Sequence, residues 1–159
     1  MLRDITNEKL IVLNIEASDW EDAIRKAAQP LVKEKKIKPS YVDAMINVTK
    51  EAGPYIVITK GVALPHARPE NGSNSTSLGI ATLKTPIKFG NKENDPVKYI
   101  FCLSAIDSNS HLKTMEELVE LLDNPDFYKF LDSANNPKQV LDYIVNFERK
   151  GGLHNWLKH

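Results

Sequence analysis

His66 stands between two prolines in the run Gly61-Val62-Ala63-Leu64-Pro65-His66-Ala67-Arg68-Pro69-Glu70, with Arg68 two residues further on. A largely neutral imidazole near pH 7 can act as a base, a metal ligand or a nucleophile. Pro65 holds Leu64 extended and supplies no backbone donor, so a strand reaching it should stop pairing there. His66 is then expected at the mouth of a sheet. A second histidine, His111, falls at the start of an expected helix much further along the chain. Helix N-termini carry unpaired N–H groups and partial positive charge, which suit an anion such as phosphate. The same field disfavours imidazolium, so His111 is expected neutral and able to donate one ring N–H. Should the fold join that strand end to that helix start, the site would hold a nucleophile, a donor and an anion cradle. Arg68 could add a bidentate contact to phosphoryl oxygens. Such a set suits phosphoryl transfer through a phosphohistidine. A turn between strands would give a similar proline-flanked histidine, and helix starts accept many polar residues. The pair by itself leaves a structural role open.

The other reactive residue types have plainer readings. Cys102 lies within a strongly apolar stretch and reads as a buried structural thiol. Asp107 could orient a histidine, though capping the following helix serves equally well. Glu70 is either solvated or paired with Arg68. His154 and His159 share no helical face and suggest no metal site. The basic run Lys33 to Lys38 reads as a solvated helix end. An apolar rim around the histidine should receive protein partners, with Val62, Leu64 and Ala67 as its candidates.

The positioning elements follow from hydrophobic period. Leu10 to Ile15 reads as a strand. Ser18 or Asp19 caps a helix whose core face carries Trp20, Ala23, Ile24, Ala27, Ala28 and Leu31, with Pro30 expected to kink or end it. Pro39-Ser40 opens a second helix with Tyr41, Ala44, Met45 and Val48 on its apolar face and Gly53 as its stop. Tyr55 to Ile58, Leu78 to Leu83 and Val97 to Ile106 read as strands, the last nearly continuous in apolar residues and hence central. The segments 71–77 and 90–96 read as polar loops. Asp107-Ser108-Asn109-Ser110 is a cap cluster before a helix burying Leu112, Met115, Leu118, Val119 and Leu122. Asn124-Pro125 interrupts, a short helix carries Phe127, Phe130 and Leu131, and a last helix from Pro137 presents Val140, Leu141, Ile144 and Val145. Gly151-Gly152 is expected to end it. Strand, helix pair, strands and helix group together imply an α/β fold: a three-layer α/β/α sandwich with a mixed β-sheet covered by helices on both faces.

Composition sets the outer bounds. The 159 residues fit one domain over 1–149 with a short C-terminal tail at 150–159. Lys plus Arg equals Asp plus Glu at 21 each, which gives no electrostatic case for nucleic acid or an anionic membrane as partner. The single cysteine permits no internal disulfide and fits a reducing compartment. No stretch resembles a targeting leader or a membrane span, so a cytoplasmic protein without direct membrane insertion is expected.

Gly61 to Glu70 resembles the active-site segment of the mannitol/fructose-type enzyme IIA domains of the bacterial phosphoenolpyruvate-dependent sugar phosphotransferase system. The form Pro65-His66-Ala67-Arg68-Pro69-Glu70, preceded by Gly53-Pro54-Tyr55-Ile56-Val57-Ile58, is closer to the ascorbate-specific branch. Asn94-Asp95-Pro96-Val97 and Ala105-Ile106-Asp107-Ser108-Asn109-Ser110-His111 match later family segments in the same order, so the resemblance spans about residues 3–148. It implies that His66 accepts a phosphoryl group from the phosphocarrier protein HPr and passes it to a cysteine of a cognate enzyme IIB, alongside a membrane enzyme IIC. It implies that His111 lies beside His66 and orients or stabilises the phosphorylated ring, and that no cofactor or metal is needed. Mannitol-type members carry an active-site arginine where an ungapped comparison puts Lys50. A lysine keeps the charge and loses the planar fork, so Arg68 is the candidate replacement. Two other functions remain to be weighed: a regulatory module signalling through the phosphorylation state of His66, and a hydrolase or lyase using His66 as base.

Overall fold

The computed structural model describes residues 1–107 and 112–158, with side chains to Lys150. Its centre is a mixed five-stranded sheet. β1 (Ile11–Ile15), β2 (Val57–Thr59), β3 (Val62–Ala63), β4 (Ser77–Ile87) and β5 (Val97–Ser104) lie in the order β1-β4-β5-β3-β2. β1 runs parallel to β4 and β3 parallel to β5, while β4–β5 and β2–β3 are antiparallel. The apolar β5 is the middle strand, as its sequence implied.

Alternation along β4 and β5 divides the apolar side chains between two faces. Ala81, Leu83, Ile100 and Cys102 face α1 (Trp20–Lys33) and α2 (Pro39–Ala52), where Ala23, Ile24, Ala27, Leu31, Tyr41 and Met45 complete one core. Leu78, Ile80, Tyr99, Phe101 and Leu103 face α3 (Leu112–Leu122), α4 (Pro125–Ser133) and α5 (Pro137–Lys158). Leu118, Leu121, Phe127, Val140 and Ile144 fill the second core. The expected three layers are therefore present.

Local chemistry sets the helix ends. The Asp19 carboxylate accepts the Asp22 N–H at 2.8 Å, Pro39 opens α2 and Gly53, at φ +89°, stops it. Asn124 accepts the Asp126 N–H at 3.1 Å to start α4. Across the sheet, the Asp95 carboxylate accepts the N–H groups of Phe89 and Gly90 at 2.9 and 2.8 Å, closing the loop before β5.

Four expectations are corrected. Pro30 does not end α1, which runs on to Lys33. It sits in the last turn, where only one helical bond is lost and buried Leu31 continues the core face. α2 buries Tyr41, Val42, Met45, Ile46 and Thr49, leaving Ala44 and Val48 at the margin. α3 buries Thr114, Leu118, Leu121 and Leu122, whereas Leu112 and Val119 are exposed. α5 passes through Gly151-Gly152 to Lys158; glycine weakens a helix without terminating it.

Candidate active site

β3 ends where the sequence implied. Its next residue, Leu64, donates its N–H to Ile56 O at 2.8 Å, and Pro65 then has no N–H to offer. His66 follows with its side chain exposed, while Pro65 before it is buried. The imidazole is not free to spin. Its Nδ1 lies 2.8 Å from the Leu64 carbonyl. A carbonyl can only accept, so Nδ1 carries the proton, and in the neutral ring Nε2 then holds the unshared pair.

The backbone on either side of His66 is tied to one strand residue. The Leu103 N–H donates to the Pro65 carbonyl at 3.0 Å. Leu103 O lies 2.9 Å from the Tyr41 hydroxyl, which accepts the Ala67 N–H at 3.1 Å; Ala67 O is a second acceptor for it at 3.1 Å. Tyr41 comes from the first turn of α2 and is 1% exposed. Burial raises its phenol pKa, the Ala67 bond opposes this and Cys102 adds slightly to the rise, so the hydroxyl stays protonated and able to donate. The sequence placed Tyr41 on a helical core face. Only its partners, distant along the chain, reveal the hydroxyl's task.

Arg68 is exposed and extended, at the N-terminal end of a 3₁₀ turn over Pro69–Asn71. Among the described residues it makes no ion pair, and it lies two residues along the chain from His66. Lys50 is committed elsewhere: in the last turn of α2, its Nζ pairs with Glu21 Oε1 of α1 at 3.0 Å. His111, with Ser108, Asn109 and Ser110 of the expected cap cluster, lies outside the described residues. Asp107 at the end of the preceding segment is exposed. Glu70 is exposed as well.

Cys102 is fully buried, and burial pushes its thiol up to about 12, so it is an inert core group. Of the expected rim, Val62 is buried at 0% exposure and so is withdrawn; Leu64 and Ala67 are half-buried. Among the described residues, the exposed large apolar side chains are Met1 at the N-terminus, Tyr55 just before β2 and Ile58 within it, Ile106 beyond β5, and Leu112 and Val119 on α3. Grooves of about 390–420 Å³ lie between α1 and α2 and around α5, lined by residues other than His66. Among the described residues no cluster of three or more His, Cys, Asp or Glu could hold a metal ion. No described helix is long and apolar enough to cross a membrane.

Residues 4–147 match the family model of the phosphoenolpyruvate-dependent sugar phosphotransferase system, EIIA 2. The chain belongs to this family. EIIA components are phosphotransferases of sugar transport that work through a phosphohistidine intermediate. An Escherichia coli (strain K12) protein named as a phosphotransferase IIA component, SgcA, is 42% identical over 125 residues, covering 79% of this chain and 85% of its own. The ascorbate-specific EIIA component of Shigella boydii serotype 4 is 34% identical over 145 residues, or 90% of this chain and 94% of the relative. The solution structure of the mannitol-specific cryptic enzyme IIA CmtB of Escherichia coli superposes with a TM-score of 0.81. It shares 34% identity over 92% of this chain and 99% of that one.

Proposed function

We propose that His66 is the phosphoryl-carrying residue of this EIIA and that its Nε2 is the nucleophile. The observation carrying the proposal is the Leu64 carbonyl 2.8 Å from Nδ1 of an exposed ring, which fixes the tautomer that leaves Nε2 unprotonated. The Nε2 lone pair forms the new P–N bond as the donor's own P–N bond breaks and the donor nitrogen keeps that electron pair. The donor is HPr, whose phosphohistidine supplies the group. The Nδ1 proton stays on His66, held by Leu64, so the phosphorylated ring remains cationic and is a good leaving group. In the second step a thiolate of the cognate IIB attacks the same phosphorus, and Nε2 recovers its pair. No proton has to reach Nε2 in either direction.

The phosphoryl group brings about two negative charges at pH 7. Arg68, two residues away and without an ion pair among the described residues, is the cation that offsets them; His111 is assigned the neighbouring donor role that the family resemblance implies. Lys50 would have to leave Glu21 to take part, and we rank it behind Arg68. Tyr55, Ile58, Ile106, Leu112 and Val119 supply the apolar surface on which HPr and IIB dock in turn, replacing Val62 in that role. The sugar is ascorbate or a related compound, supported by the Pro65-to-Glu70 form and the ascorbate-specific relative. The membrane component IIC completes the system, and the carrier itself works in the cytoplasm.

The test is incubation with phosphoenolpyruvate, enzyme I and HPr, followed by addition of the cognate IIB. The wild type should acquire an acid-labile, base-stable phosphoryl group and pass it on, whereas His66→Ala should acquire none. Uptake by His66→Ala overturns the assignment. Uptake by the wild type without onward transfer to any IIB would favour the regulatory module.

A further inference from the structure

His66 is flanked by two backbone groups that meet at a single residue of β5, Leu103. Pro65 reaches it directly, its carbonyl accepting the Leu103 N–H at 3.0 Å. Ala67 reaches it through a side chain: its N–H donates to the Tyr41 hydroxyl at 3.1 Å, and that hydroxyl lies 2.9 Å from Leu103 O. A phenol has one proton to give. With Ala67 N–H as its donor, the hydroxyl's proton goes to the nearer carbonyl, that of Leu103. The residues before and after His66 are thereby anchored to the N–H and the carbonyl of one residue, Leu103. The ring's own bond to Leu64 O then depends on where that short backbone arch holds its Cα. We infer that Tyr41 is a positioning residue for phosphoryl transfer, acting through Ala67 to keep His66 in the Nδ1–H tautomer with Nε2 directed at the incoming phosphorus. The inference rests on the proposal that His66 carries the phosphoryl group.

Two features separate this role from ordinary core packing. The ring of Tyr41 sits in the α1/α2 core with Met45 and Cys102, and a phenylalanine would fill the same space. The hydroxyl's partners, in contrast, are confined to the residue after His66 and the strand end beside it. Removing only the oxygen strips the arch of one anchor and leaves the packing in place. Misplacement of a reacting group by about 1 Å can cost on the order of a hundredfold in rate.

The experiment compares Tyr41→Phe with Tyr99→Phe, which deletes a comparable hydroxyl bond, to Asp132 at 2.6 Å, next to α4 instead. Phosphoryl uptake from phospho-HPr is followed as kcat and KM, and the ring nitrogens of His66 are read by ¹⁵N spectroscopy. Tyr41→Phe should lower kcat by about tenfold or more with KM within about twofold, and should convert the single Nδ1–H tautomer into a mixture. Tyr99→Phe should leave both near wild type. Wild-type kcat and an unchanged tautomer in Tyr41→Phe would overturn the inference. Should that variant fail to fold, the wild type decides. Its Ala67 amide must resist hydrogen exchange and its His66 must show one tautomer; an Ala67 amide exchanging like an exposed loop overturns the inference. If the wild type takes up no phosphoryl group, the functional assignment fails, while tautomer and exchange still judge the role of Tyr41.

Discussion

At the scale of the residue, one carbonyl determines what His66 can do. An exposed imidazole would normally exchange its proton between two nitrogens, and each tautomer would offer a different nucleophile. The Leu64 carbonyl at 2.8 Å selects one of them. On the proposed assignment the same bond would serve both halves of a carrier's task, leaving Nε2 ready to attack and keeping the phosphorylated ring charged and ready to leave. The cation beside it should be Arg68. Arg68→Ala is expected to slow phosphoryl uptake by about tenfold while leaving the melting temperature unchanged, because the side chain is exposed and holds no ion pair among the described residues. Lys50→Ala should have the smaller effect, since its ammonium is engaged with Glu21. A larger loss with Lys50→Ala in the same transfer assay would reverse that assignment.

At the scale of the element, the site depends on how firmly short segments are tied to the sheet. α4 is nine residues long and holds on chiefly through Phe127, which is fully buried and within 6.0 Å, ring to ring, of Phe101, Tyr128 and Tyr143. Phe127→Ala should cost about 3–5 kcal/mol, measured by denaturant unfolding. Gly72 lies at φ +131°, and a Cβ there would fall 2.7 Å from Ser40 Oγ and 3.2 Å from Tyr41 N. Gly72→Ala should therefore destabilise the chain and disturb the start of α2, visible as faster amide exchange around Tyr41. Much of this was legible in the residues. Apolar runs marked the long strands, and Asp19, Pro39, Gly53 and Asn124 marked helix ends through their own backbone chemistry. The apolar face of α3 was legible only in part, at Leu118 and Leu122, because apolar residues occupy two adjacent faces and only the packed sheet selects 114 and 121 over 112 and 119. β3 is two residues long and has no period to read. Tyr41 looked like any core aromatic until Ala67 and Leu103 were placed against its hydroxyl. His66 and Arg68 stood out early because proline and histidine chemistry is local; the bond to Leu64, which needs a particular backbone path, did not.

At the scale of the whole molecule, an N-terminal residue and α5 are joined by a buried carboxyl contact. Glu148 on α5 is 6% exposed and accepts the Arg3 N–H at 2.8 Å, while its second oxygen lies 3.9 Å from Arg3 Nε. Glu117 of α3 approaches from the other side, 3.4 Å from the Leu2 N–H. Burial above all raises the Glu148 carboxyl; Glu117 adds to the rise and Arg3 opposes it. A carboxyl raised on folding contributes stability that is complete below its unfolded value and drains away as pH climbs through the folded one. Glu148→Gln keeps the acceptor for Arg3 and removes the charge, so it should raise the melting temperature at pH 7–8 and flatten the fall in stability above the ordinary carboxyl range. Recovery of about 1 kcal/mol would appear as roughly 2–4 °C. A variant that melts lower than wild type at every pH would contradict this. The carrier as a whole is tested most directly at its phosphorylated state. Protein labelled with ¹⁵N-histidine, charged by phosphoenolpyruvate, enzyme I and HPr, should show one phosphorus coupled to Nε2 of His66, with Nδ1 still protonated. Coupling to Nδ1, or to any other histidine, would contradict the account.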